Sequence, residues 1–331
     1  RLWTDKEEGE KIFIYKARDE KDEAKWVANR ISELEGEGAG MDQIAILYRT
    51  NAQSRSLEES LVRMAIPYRI VGGLRFYDRK EIKDVIAYIR FVYNPLDLQS
   101  LKRIINVPRR GIGAKTIDEL FLTAQQRDIP IYQLLTEHKD QISNSKLKSF
   151  ADLYLKLVGA ADEMSLVDFI NFTLEITGYI KMLKDGTTEN ESRIENIKEL
   201  LSVAQKYNEL SPQAGLSAFL EEVALLQGGE DNDSEEDKIT LMTIHAAKGL
   251  EFEYVFVVGM EEGLFPHNRV FSNPKELEEE RRLAYVAITR AKKSLSLIHA
   301  ESRLYFGTRQ RNSISRFLEE IPEDFVQRDS V

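Results

Sequence analysis

The sequence predicts an α/β protein in two parts: a parallel sheet covered by helices, assembled from both ends of the chain, and an all-helical block inserted between them. Three observations lead there. Strand-like runs lie only toward the two ends; apolar residues recur at helical spacing through the middle; and near the first end strands alternate with amphipathic helices, the β-α-β order of a parallel sheet.

In chain order the strand runs are Lys11–Tyr15 (KIFIY), Ile44–Tyr48 (IAILY) and Tyr68–Val71 (YRIV), then Ile239–Ile244 (ITLMTI), Tyr254–Val258 (YVFVV) and Ser294–His299 (SLSLIH). Helices are expected at Ala24–Leu34, where Ala24, Val27, Ile31 and Leu34 share one face, at Ser54–Ala65, and at Lys275–Ile288 before the last strand. From Asp78 to about Leu226 the pattern is helical throughout, as in Ile82, Val85, Ile86 and Ile89, or Ile194, Ile197, Leu200, Leu201 and Ala204. The second boundary is Gly228-Gly229 followed by the acidic run Glu230–Asp237, a self-repelling stretch expected to be solvated and mobile. There is no internal repeat.

The 331 residues are enough for two cores, and 42% hydrophobic with 31% charged residues is a soluble globular composition. No apolar run approaches the roughly 18 residues of a membrane span, so no membrane partner is expected. The first residues, Arg1-Leu2-Trp3-Thr4, carry neither an initiator Met nor a leader's apolar stretch, and the chain is read as a fragment. With no cysteine and four histidines there is no thiolate or histidine-cluster metal site to expect, and the reducing cytoplasm suits the composition. A net charge of −10 excludes a uniformly basic nucleic-acid coat, so any such contact must be local.

Gly111-Ile112-Gly113-Ala114-Lys115-Thr116 imitates a phosphate loop, but its Lys does not follow a Gly directly and a helix rather than a strand precedes it. No other segment supplies a Walker A loop, so the chain should not hydrolyse nucleotide unaided. The same segment, from Ile104 to Gly113, resembles a helix-hairpin-helix turn, with a new helix starting near Ala114 whose N–H groups and dipole favour an anion. Lys102, Arg103, Arg109, Arg110 and Lys115 fall between Leu98 and Ile117 with no acid among them. That local inversion of charge suits a sequence-independent grip on a DNA backbone; equally, it describes a glycine turn between packed helices with a solvated basic edge.

Two further segments carry chemistry. In Ile239–Val258 a buried strand ends near His245, a polar loop with Gly249 follows, and a second apolar strand begins at Tyr254; strand ends are where open α/β sheets present binding groups, although Lys248 and Glu251 could simply face water. In Glu278–Lys293 an i,i+4 pair of Glu278 with Arg282, and Arg290, Lys292 and Lys293 at the negative end of the helix dipole, already give a complete structural account.

Taken together these segments resemble the PcrA/UvrD/Rep branch of superfamily-one DNA helicases. TIHAAKGLEFEYVFVVGMEEGLFP is similar to the family's fifth motif and its continuation, and EEERRLAYVAITRAKK to the sixth. ILYRTNAQSRSLEESL, PYRIVGGLRFYDRKEIKDV and SRFLEEIP extend the resemblance over nearly the whole chain. It implies a RecA-like domain 2A from residues 1–74 and 229–331, interrupted by a helical domain 2B at 75–228. It implies ATP with Mg²⁺, whose cradle and metal ligands lie on an absent N-terminal half of the same helicase, and a 3′ to 5′ motor acting on single-stranded and duplex DNA. Arg290 would reach the γ-phosphate across the interdomain cleft and Glu251 would hold the ribose. Arg49, Asn51, Thr243, His245 and His267 would hold the single strand. The turn at Gly111 and Gly113, with Arg109, Arg110, Lys115 and Thr116, would hold the duplex. A second phosphate-sensing arginine, in the family's Asn-Tyr-Arg-Ser segment, has no counterpart here. The competing expectations are a DNA-binding module in which 75–228 does the work, and a catalytically silent relative that regulates a partner.

Overall fold

A computed structural model describes residues 9–227, 238–271, 274–305 and 308–330. The acidic boundary run Glu230–Asp237 lies outside the described residues. Contacts divide the chain into two compact units, Arg1–Phe76 with Gly229–Val331, and Tyr77–Gly228.

The first unit opens with β1 (Ile12–Ala17), α1 (Glu20–Gly36), β2 (Ile44–Tyr48), α2 (Ser54–Arg63) and β3 (Tyr68–Val71). Helix α1 begins earlier than its apolar stripe because Asp19 caps it, accepting from the N–H groups of Lys21 and Asp22. The second unit is helical throughout its described residues: α3 (Lys80–Tyr93), α4 (Leu98–Ile104), α5 (Ala114–Gln126), α6 (Ile131–Leu135), α7 (Ser145–Glu163), α8 (Leu166–Ile176), α9 (Tyr179–Leu183), α10 (Thr188–Ala204) and α11 (Pro212–Gln227). Its core gathers Ile82, Val85, Ile86 and Ile89 of α3 with Phe150, Phe169, Ile197, Leu200 and Phe219. Phe91 and Tyr154 pack ring to ring at 4.7 Å. The chain then returns to the first unit as β4 (Ile239–Thr243), β5 (Phe252–Val257), α12 (Pro274–Ile288), β6 (Ala291–Ala300), β7 (Arg303–Tyr305), β8 (Thr308–Gln310), α13 (Arg316–Glu319) and β9 (Val326–Ser330).

Seven strands form one sheet in the order β3-β4-β2-β5-β6-β1-β9, and every pairing in it is parallel. Alternation along β2 shows why it is buried on both faces. Ile44, Ile46 and Tyr48 join Val27, Ile31, Leu57 and Leu61 under α1 and α2, whereas Ala45 and Leu47 join Leu283, Ala284 and Ala287 under α12, with Phe317 and Leu318 of α13. The six strand runs expected from the sequence are all present. Not expected were the β7–β8 hairpin and the edge strand β9, whose sequence VQRDS has a single apolar residue. No helix among the described residues is long and apolar enough to cross a membrane.

Because the strands run parallel, the sheet has a strand-end edge, just after β2, β4 and β5, and an opposite strand-start edge, just before β5 and β6. The candidate residues divide between these two edges.

Candidate functional site

At the strand-start edge, α12 stops at Ile288 and Arg290 follows it. The Arg290 guanidinium curls back over the helix end: Nε donates to the Val286 carbonyl at 2.9 Å and Nη2 to Thr289 Oγ1 at 2.9 Å. Nη1 donates to the Leu250 carbonyl at 2.8 Å. A helix C-terminus, with its unpaired carbonyls and negative dipole end, favours a cation there. No carboxylate pairs with Arg290 among the described residues, and the side chain is only partly buried. The adjoining Glu251 is exposed, its carboxylate 3.9 Å from Lys292 Nζ. The Phe252 N–H donates to the Arg290 carbonyl at 2.9 Å, and Phe252 pairs in register with Ala291. Two segments some forty residues apart in sequence thus meet at one corner, with a cation and an anion side by side and both accessible. Glu251 was expected at a strand end; it stands before β5, because the Ile244–Leu250 connection has already crossed the sheet.

At the strand-end edge lie Arg49 and Asn51 after β2, and Thr243 and His245 at and after the end of β4, where Tyr48 and Thr243 are register partners. Thr243 Oγ1 accepts from the Ala246 N–H at 3.3 Å and so turns the chain out of the strand. The Asn51 side chain makes no hydrogen bond among the described residues. Arg49 is held by Glu280: Nε reaches both carboxylate oxygens at 2.9 and 3.0 Å, and Nη2 reaches Oε1 at 2.6 Å. The same carboxylate accepts from the His267 N–H at 3.1 Å. Desolvation first, and then the Arg49 charge, hold the His245 imidazole below its ordinary value, while Glu280 and Glu279 pull the other way.

Glu280 did not emerge from the sequence, yet a signal for it was there. It continues the buried stripe of α12, three, four and seven residues before Leu283, Ala284 and Ala287, whereas Glu278 and Glu279 face water. The expected pair of Glu278 with Arg282 is corrected: Arg281 turns toward Glu278 at 3.8 Å and meets Glu320, and Arg282 pairs with Glu279 at 3.1 Å. Helical i,i+3 spacing brings these side chains together as well as i,i+4 does.

In the helical unit, α5 begins at Ala114 with Gly113 as its N-cap. Gly111 has φ +70°, and a Cβ there would lie 2.7 Å from Lys146 Nζ, which donates to the Gly111 carbonyl at 3.1 Å. Asn106 shapes the turn by accepting from the Arg110 and Ile112 N–H groups at 2.8 and 3.2 Å. Gly111, Gly113, Arg109 and Lys115 are exposed and Thr116 half-buried. Arg110, expected among the DNA-facing cations, is part-buried and engaged by its own fold. Its Nη1 donates to the carbonyls of Ile104 and Val107 at 2.9 and 3.1 Å, and its Nη2 to Tyr88 Oη at 2.7 Å. Carbonyls at the end of α4 lack partners within the helix, and this guanidinium joins the Val107 N–H and the Tyr88 hydroxyl in satisfying them. Arg103 is likewise engaged, by Asp84 at 2.7 Å. Lys146, from the distant helix α7, is the cation that sequence reasoning missed at this turn.

The family described as the UvrD-like helicase C-terminal domain matches residues 1–302. The chain is 44% identical, over 98% of its length, to the ATP-dependent DNA helicase PcrA of Bacillus subtilis (strain 168), of which it covers 46%. It is 43% identical, over 99% of its length, to PcrA of Staphylococcus aureus (strain Mu50), and 43% identical, over 98%, to PcrA of Staphylococcus epidermidis, again covering 46% of each. The chain spans about half the length of the curated relatives it matches, their C-terminal half. With a family match over residues 1–302 and identity of this order across nearly its whole length, the chain belongs to the UvrD-like helicase C-terminal domain family.

Proposed function

We propose that this chain is the second RecA-like half, domain 2A with the helical insertion 2B at residues 75–228, of an ATP-driven DNA helicase and single-strand translocase. Its contribution to the chemistry is Arg290, offered across a cleft to a nucleotide cradled by the N-terminal half. The observation that carries this reading is the division of the candidates between opposite edges of one sheet. Arg290 and Glu251 stand before β5 and β6, while Arg49, Asn51, Thr243, His245 and His267 gather after β2, β4 and β5. Two connections, residues 244–251 and α12, each run from one edge to the other. A motor needs that arrangement, since nucleotide state must alter grip on the track.

The neutral hydrogen-bond partners of Arg290 support its role. Carbonyls and a hydroxyl orient the guanidinium without neutralising it, so it can meet the charge that develops on a transferring phosphoryl group. Glu251, exposed beside it, is suited to accept hydrogen bonds from ribose hydroxyls. Arg49, Asn51, Thr243, His245 and His267 can bond phosphate and sugar, which suits a track followed without regard to sequence. Gly111, Gly113, Arg109, Lys115 and Thr116, joined by Lys146, form the duplex grip. The phosphate cradle and the Mg²⁺ ligands are assigned to the N-terminal half, because this sequence carries no glycine-lysine phosphate loop. The 3′ to 5′ direction and a cytoplasmic location are proposed on family grounds.

The test is DNA-stimulated ATPase of the chain joined to its N-terminal half. Arg290→Ala should lower turnover by about a thousandfold or more with single-strand affinity little altered; unchanged turnover overturns the assignment. A second reading, a duplex-binding module without motor activity, is favoured by the exposed basic turn alone. It would be supported by salt-sensitive duplex binding that neither ATP nor Arg290→Ala affects.

A further inference from the structure

We infer that Glu280 is a positioning residue that ties the DNA-facing edge of the sheet to the helix presenting Arg290, so that engagement of a single strand governs turnover through it. The inference rests on the reading of Arg49 and Arg290 proposed above and names the device that regulates that site.

Glu280 is 5% exposed, and its carboxylate serves two segments at once. Arg49 offers the Nε–Nη2 edge of its guanidinium in three hydrogen bonds of 2.6 to 3.0 Å. The His267 N–H completes the set at 3.1 Å. The opposite edge of the guanidinium is free: Arg49 Nη1 makes no hydrogen bond among the described residues, and the side chain keeps 19% of its exposure. A planar guanidinium can hold a carboxylate on one edge and a phosphate on the other. The side-on pair therefore leaves the end-on donor Nη1 unused, on a side chain whose charge is felt at His245.

An exposed ion pair would slip when a phosphate drew on Arg49. This one is desolvated and bidentate, so its members move together. What moves with Arg49 is α12, since Glu280 is part of that helix. From Glu280 to Ile288 the helix rises about 12 Å, and two residues beyond stands Arg290. The connection at residues 244–251 has no comparable clamp: among the described residues, Thr243 Oγ1 bonds the Ala246 N–H within its own turn. Of the connections between the edges, which include α1 and α2, α12 is the one that joins a buried contact with Arg49 at one edge to Arg290 at the other.

The experiment compares Glu280→Gln with wild type in the chain joined to its N-terminal half, using oligothymidylate as the strand. A Gln amide turns one of its two polar atoms into a donor, so the doubly accepting edge is lost. The expected result is that kcat at saturating oligothymidylate falls about tenfold, while KM for ATP and Kd for oligothymidylate stay within about threefold, a coupling loss without a binding loss. Glu280→Asp, which keeps the charge on a shorter reach, should recover part of the stimulation. Glu280→Met, which keeps the length of the side chain without an acceptor, should reproduce the Gln phenotype, and it serves where Glu280→Gln does not fold. Stimulation equal to wild type overturns the inference. So does a parallel loss of stability, strand affinity and stimulation in Glu280→Gln and Glu280→Asp alike, which is the pattern of a carboxylate that only packs a loop. The underlying reading fails separately: it falls if wild type shows no stimulation or if Arg290→Ala turns over normally. A stimulated wild type and a dead Arg290→Ala beside a normal Glu280→Gln would sink only the coupling role.

Discussion

Two arginines of the α/β unit stand at opposite edges of the same sheet in opposite surroundings. At the strand-end edge Arg303 is buried between two carboxylates, donating from Nη2 to Glu23 at 2.7 Å and from Nε and Nη2 to Glu261 at 2.7 and 2.8 Å. The same carboxylates also accept from the Gly259 and Ala300 N–H groups at 2.9 and 2.6 Å. At the strand-start edge Arg290 is held by two carbonyls and a hydroxyl, with no acid partner among the described residues. The first is neutralised by its own fold and serves it; the second keeps its charge and is oriented by neutral groups. The contrast separates a cation that joins elements from one whose hydrogen-bond partners leave its charge uncompensated.

The largest effect that could break this comparison is on stability. Arg303→Ala leaves two carboxylates buried without their cation, and should cost about 3–5 kcal/mol in denaturant unfolding. Arg290→Ala removes only half-exposed contacts and should change stability by roughly 0.5 kcal/mol or less. Similar losses at the two positions would show that Arg290 too is part of the framework.

A smaller effect concerns pH. Burial, with Glu261 adding to it and Arg303 opposing, raises the Glu23 carboxyl to about 7. Physically, one guanidinium between two carboxylates leaves a surplus negative charge in the core, and a proton on Glu23 removes it. A carboxyl raised in the folded state binds protons that the unfolded chain has released, so its contribution is full below the ordinary value and lost as pH rises toward 7. Stability should therefore fall between about pH 5 and 7.5 by an amount on the order of 2 kcal/mol, and Glu23→Gln should flatten that slope. Desolvation holds the His299 imidazole down, which acts in the other direction by removing stability at lower pH. A wild-type curve with no fall from pH 5 to 7.5 would mean that the triad stays doubly ionised.

Reading the sheet from sequence succeeded where residues are buried on both faces, as in IAILY, because a short unbroken apolar run suits a parallel strand covered on both sides. It failed for β9, since an edge strand with Val326 as its single apolar residue carries no apolar signal. The corner of Arg290 and Glu251 was legible only through resemblance: nothing local distinguishes Arg290 from Arg303, and what separates them is the charge of neighbours distant in sequence. Glu280 was partly legible from the α12 stripe, but its partner Arg49 lies 231 residues away. Lys146 was not legible at all, since its approach to Gly111 depends on how α7 packs in the helical unit. Periodicity reports which face is buried, and not which polar group waits there.

The helical unit repeats the contrast on a smaller scale and offers the finest test. Arg110 is tied to the end of α4 by carbonyl acceptors and Tyr88, and its guanidinium also lies 5.6 Å from the Phe150 ring centroid. Lys115 is exposed in the first turn of α5, where the helix dipole already favours an anion. Arg110→Ala should therefore cost about 1–2 kcal/mol of stability by removing its part-buried hydrogen bonds to Ile104, Val107 and Tyr88, and should reduce duplex affinity only as far as the turn loosens. Lys115→Ala should leave unfolding unchanged and weaken duplex binding alike across sequences. Its plot of log affinity against log salt should lose about one unit of slope, the signature of one phosphate contact removed. If Arg110→Ala instead lost that unit of slope with stability intact, the part-buried guanidinium would be reaching the DNA after all, and the rule drawn from Arg303 and Arg290 would not extend beyond the sheet.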